Sequence, residues 1–211
     1  MRLKELDIDL DNIDDDAICA IQTPGAATSL TLNGVIGTGS LTYGRALTLT
    51  SGGDDTDVTF TLTGTDADGK DQTEAIVGAN AGAVVTTKYF KTVSTITVSG
   101  STVATTIKVG TSGATRAAVS QTVPLNFYDQ VATTVSVDVT GTIDFSIQET
   151  FDDIMTNGPT AAVWVAVSAL AAKTADTTSP ISRGATAVRV LVNSYTNGGE
   201  LQAMIIPANN S

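Results

Sequence analysis

The chain has 211 residues, with 11 basic and 22 acidic side chains, no histidine, one cysteine and one tryptophan. The missing histidine excludes a His-based catalytic triad and a His-ligated metal. Cys19 alone excludes an intrachain disulfide and a cysteine metal cluster. The net charge of −11 argues against phosphate neutralisation, so no nucleic acid is expected as a partner.

Only 5% of residues are aromatic and about one in six is threonine, so Val, Ile, Leu, Ala and Thr must fill the core. β-Branched residues fit a pleated surface better than a helix. No apolar run reaches the ~18 residues of a membrane span, so no membrane is expected as a partner. The start, MRLKELDIDLDNIDDD, is acidic and lacks an apolar stretch, so it does not read as a secretory signal. A single cysteine suits synthesis in a reducing cytoplasm.

In residues 1–23, Leu6, Ile8 and Leu10 alternate with Asp7, Asp9 and Asp11. Period 2 predicts an extended acidic arm or an edge strand. Such an arm could be solvated or could pair with a neighbouring subunit's sheet edge, which makes Leu6, Ile8 and Leu10 interface candidates. Residues 24–111 read as short strands at roughly ten-residue spacing. They fall around Leu30–Leu32, Leu47–Leu49, Val58–Leu62, Thr73–Val77, Thr86–Phe90, Thr92–Val98 and Val103–Val109. Gly, Asn, Asp or Ser separate them, as turns require. The pattern predicts an Ig-like β-sandwich without the Cys…Trp…Cys signature of antibody domains.

Ser112-Gly113 and Pro124 mark a boundary. Residues 112–211 then alternate at Val131–Val139, Ile143–Ile147, Val163–Val167, Val188–Val192 and Leu201–Ile205, with a long loop at Phe151–Pro159. These strands predict a second sandwich or a jelly roll. Trp164 faces away from Val163, Val165 and Val167 and is either an interface residue or a core plug. The predicted fold class is therefore all-β, with two antiparallel β-sandwich domains and an extended N-terminal arm.

No constellation carries catalysis, so no catalytic, cofactor or metal residue is assigned. Asp7-x-Asp9-x-Asp11 begins like an EF-hand loop, but Asn12 and Ile18 stand where glycine and glutamate are needed. Asp66 to Asp71 (DADGKD) resembles a calcium-loop fragment and fits a hairpin turn better. Asp54, Asp55 and Asp57, and Glu149, Asp152 and Asp153, are loop acids without the aromatic platforms of a sugar-cleaving cleft. Lys88, Tyr89, Phe90 and Lys91 form either a small binding patch or an ordinary strand end. Cys19, between Ile18 and Ala20, reads as a buried structural thiol.

One set of segments carries a likeness. It comprises ICAIQTP (18–24), LTLNG (30–34), RALTLTS (45–51), FTLTGTD (60–66), GANAG (78–82), TKYFKTV (87–93), QETFDD (148–153), LAAKT (170–174) and AVRV (187–190). Through these the chain resembles small β-rich virion proteins of tailed bacteriophages, of the decoration or cement type. The resemblance implies a non-enzymatic structural protein on the capsid surface of the virion, assembled in the host cytoplasm. Its implied partners are the major capsid protein and further copies of itself. Threefold lattice points make a trimer the natural guess. The arm and the second domain would grip the shell, with the Ig-like domain outward and a host-surface glycan as a further candidate partner. A tail or head–tail component (fibre, tail tube or connector) and a carbohydrate-binding β-protein are the alternatives.

Overall fold

The computed structural model describes residues 3–25, 28–100, 105–125 and 132–207. Strands take 53% of the described residues and helices 5%, and the sheets are antiparallel, so the described fold is all-β. The strands run β1 (Lys4–Asp9), β2 (Cys19–Gln22), β3 (Ser40–Arg45), β4 (Leu47–Ser51), β5 (Val58–Thr65) and β6 (Asp71–Val77). They continue as β7 (Ala83–Val85), β8 (Phe90–Gly100), β9 (Ile107–Thr111), β10 (Ala118–Val119), β11 (Val123–Pro124) and β12 (Thr133–Thr140). The last are β13 (Ile143–Thr150), β14 (Val165–Ala166), β15 (Thr177–Pro180), β16 (Ala187–Tyr195) and β17 (Glu200–Pro207). Among the described residues one short α-helix, α1, spans Ile154–Asn157.

The chain forms two compact units. One is residues 13–113; the other joins 1–12 to 114–211. The first 23 residues are thus shared between the units, and the change of unit after residue 113 falls at the Ser112-Gly113 pair.

Unit 13–113 packs strands in the order β3-β8-β5-β6 against a sheet ordered β2-β9-β4-β7. Alternation drives the packing. In β5, Val58, Phe60 and Leu62 are buried while Thr59, Thr61 and Thr63 are half-buried. Phe60, Phe90, Val93 and Ile96 meet Ile18, Leu47, Leu49, Ile107 and Val109 in one core. The β5–β6 hairpin turns at DADGKD, where Gly69 has φ +78° and Asp66 Oδ1 accepts the N–H groups of Asp68 and Lys70. That carboxylate closes the turn, as the hairpin reading expects.

Several expected strands moved. Leu30 contributes to the core beside an isolated bridge from Ser29 to Thr97, without a strand of its own. The expected Thr86–Phe90 strand is a link in which Thr86 hydroxyl donates to Lys88 O and accepts from Leu47 N. Phe90 instead opens the long β8. Of the Val103–Val109 strand, 103 and 104 lie outside the described residues, 105 and 106 are not strand, and β9 covers the last three positions. β2, β3 and β15 carry weak alternation and were not expected.

The other unit places β1-β17-β12-β15 in one sheet and β14-β13-β16-β10 in a second, with β11 further along β16. Leu6, Val135, Ala203 and Ile205 from the first meet Ile147, Val188 and Val190 from the second along the seam. β1 pairs with β17 within the same chain, Leu6 opposite Ala203 and Ile8 opposite Leu201. Tyr195 hydroxyl donates to Asp11 O at 2.6 Å and ties down the exit of β1. Residue Val131 lies outside the described residues.

Candidate functional site

The segment 151–166 is built around its two acids. Asp153 caps α1: its Oδ1 accepts the N–H groups of Met155 at 3.0 Å and Thr156 at 3.1 Å. The hydrogen bonds from Thr156 hold the Asp153 carboxyl below the ordinary 3.8. Gly158, at φ +76°, ends the helix, and Pro159 opens a single 3₁₀ turn. Asp152 Oδ2 accepts the N–H of Val163 at 2.6 Å, and Asp152 O accepts the Thr186 hydroxyl at 2.6 Å. One carboxylate oxygen of each acid therefore holds the backbone of their own loop.

Trp164 is half-buried. Its indole N–H donates to Pro159 O at 3.2 Å, and the Arg189 guanidinium lies 4.2 Å from the ring centroid. Arg189 Nε in turn donates to Gln148 Oε1 at 2.8 Å. This cation–π stack turns the ring onto the outer side of β13 and β16. Side chains alternate along a strand, so the flanking valines point the other way, and here that way is solvent. Val163 is 70% exposed and Val165 52%, with Phe151 at 54% and Met155 at 85%. The expected strand at 163–167 shrinks to β14, and only Val167 of its three valines is buried. Four large apolar side chains are thus exposed within the one segment 151–166.

Among the remaining interface candidates, Ile8 and Leu10 are buried and Leu6 is half-buried in the core of their own unit. The outer side of the same strand carries Glu5, Asp7 and Asp9. Across the register, Asp7, Gln202 and Asp138 form one row and Asp9, Glu200 and Thr140 the next. A hollow of about 230 Å³ lies among Asp7, Asp138, Thr140, Glu200 and Gln202. Asp9 directly opposite Glu200 is an unfavourable like-charge pair. Asp7 and Asp9 stand on an extended strand, about 7 Å apart, and do not converge as an EF-hand would need.

Asp14, Asp15 and Asp16 come within ligand distance of one another in the exposed turn after β1. A hydrogen bond with Asp14 raises the Asp16 carboxyl above 3.8, and Asp15 pairs with Lys108. The turn lies on Gly110, where a Cβ would stand 2.1 Å from Asp14 O. Lys88 Nζ donates to Thr73 O, and Glu74 accepts the N–H groups of Thr87 and Lys88, while Phe90 is core. Cys19 is a free, fully buried thiol, pushed up to about 11 by burial. Glu149 is buried and accepts both the N–H and the hydroxyl of Ser182, tying β13 to the segment after β15. No helix among the described residues is long and apolar enough to cross a membrane.

Sequence reasoning singled out Trp164 but missed Phe151 and Met155. Their signal was two large apolar residues inside a loop expected to be polar. The acidic face was unreadable, because Asp138 and Glu200 join Asp7 and Asp9 only through strand pairing. No known family model matches the chain, and no curated protein is similar to it in sequence.

Proposed function

We propose that the protein is a structural component of a tailed-phage virion, a decoration or cement protein that binds the outer surface of the major capsid protein shell as a trimer. The observation that carries the reading is the exposed apolar loop of Phe151, Met155, Val163 and Val165 beside the Trp164–Arg189 stack. A cement protein works through preformed contact surfaces, and Trp and Arg are the residues most often found at their energetic centres. The phage-like segments of the sequence and the all-β sandwich fold agree with it. In this reading the unit formed by 1–12 and 114–211 grips the shell through that loop, and the unit of 13–113 faces outward.

Electron cryomicroscopy of purified virions tests the proposal. Many copies at local threefold positions, with the 151–166 loop against capsid protein, are expected. A few copies confined to the tail vertex would replace it with a tail or head–tail role. Absence from the virion would end it.

A further inference from the structure

Aspartate is seldom fully buried unless a cation or a full set of donors meets it. Asp55 lies between β4 and β5, where residues 52–57, 78–82 and 105–106 gather at one end of unit 13–113. Its N–H donates to Ala79 O at 3.0 Å, and its carbonyl accepts the N–H of Val58 at 3.0 Å. Oδ2 accepts the Thr105 hydroxyl at 2.6 Å. Gly78 closes the wall so tightly that a Cβ there would stand 2.7 Å from Asp55 Cβ. The residue is 1% exposed, yet Oδ1 has no hydrogen-bond partner among the described residues. No lysine or arginine pairs with Asp55 among the described residues. Asp54 and Asp57 beside it are exposed, and Asp54 Oδ1 is taken by the N–H and hydroxyl of Thr56. Those neighbours add negative potential around the inward carboxylate and bring no counter-charge.

We propose that this loop end binds a hard divalent cation of the calcium class, with Oδ1 of Asp55 as its anchoring ligand. The donor chemistry selects the class. Calcium takes oxygen ligands from carboxylates, carbonyls and hydroxyls. Ala79 O, which accepts the Asp55 N–H at 3.0 Å, retains a second lone pair, as do the carbonyls of Gly53 and Thr106 on the same gathered segments, which accept one N–H each at 2.6 and 2.8 Å. The chain has no histidine, and its one thiol lies in the core, so a soft or imidazole-seeking metal finds no donors here. The inference is independent of the proposed virion role.

Thermal unfolding and titration calorimetry of the full chain at neutral pH, in EDTA, calcium chloride or magnesium chloride, test it. The expected result is one calcium ion per chain and a rise in Tm of several degrees at millimolar calcium, because a ligand that binds only the folded state stabilises it. Asp55→Asn should abolish both, while Asp54→Asn, Asp57→Asn and the distant Asp15→Asn keep them. Absence of calcium heat and of a Tm shift in the wild type would overturn the proposal, whether or not Asp55→Asn folds. A response that survives in Asp55→Asn, or disappears in Asp15→Asn, would overturn it too.

Discussion

In the unit of residues 13–113 every core strand comes from one continuous segment. The unit of residues 1–12 and 114–211 takes its edge strand β1 from the other end of the chain. Both bury alternating side chains between two sheets, and both leave large apolar side chains exposed, Val35 at 89% in the first, but they treat one loop end differently. The first unit folds its loops inward over Asp55, which is buried. The second turns Phe151, Met155, Val163 and Val165 outward. The contrast teaches that alternation builds either core, while the exposed surface is decided where alternation stops. Around β14, Trp164 stacks on Arg189 while the flanking Val163 and Val165 are exposed.

The chain carries a convenient probe in each unit: Cys19 in the first and Trp164 in the second. The largest effect expected is from Phe60→Ala, which empties the centre of the first core and should cost about 3–5 kcal/mol. Urea unfolding followed by Cys19 labelling should shift strongly, with a smaller change in Trp164 fluorescence. Ile8→Ala should cost about 2–5 kcal/mol in the other unit and reverse that order of response. Transitions that coincide for both probes in both variants would erase the distinction between the units.

Native Cys19 should resist thiol reagents near pH 8, reacting at the rate at which unit 13–113 opens. Its folded value of about 11 exceeds the ordinary 9.0, so the folded state holds the proton more tightly. The stability this contributes is complete below pH 9 and fades as pH rises towards 11. Rapid labelling at pH 8 without loss of structure would contradict the burial of the thiol.

The Asp153 cap carries the opposite sign. Its folded pKa lies below 3.8, so its contribution is present above that value and is lost as pH falls through the lowered one. Acid should therefore loosen α1, seen as a change in Trp164 fluorescence that Asp153→Asn no longer shows. The smallest stability change belongs to the pair Val163→Glu and Val165→Glu, within about 0.5 kcal/mol as for other exposed positions. Under the proposed capsid role, the same pair should abolish co-sedimentation with capsid shells. Retained binding would sharpen the comparison by moving the contact surface to the acidic face of β1, β17 and β12.

Residue alternation was enough to specify the all-β class and the strands with clean periodicity, such as β5, β12, β13, β16 and β17. Period-2 burial is written into neighbouring residues, and the turn at Asp66–Asp71 is closed by local hydrogen bonds. Trp164 was legible as a residue to watch for the same local reason. The tertiary structure alone decided that Leu6, Ile8 and Leu10 fill the core of a unit completed after residue 113, because pairing of β1 with β17 spans nearly the whole chain. It alone decided that five carboxylates of three strands share a face, and that Asp55 rather than Asp54 or Asp57 points inward. Such placements follow from strand register and from how separate loops close over one another, and neither is encoded in the spacing of adjacent residues.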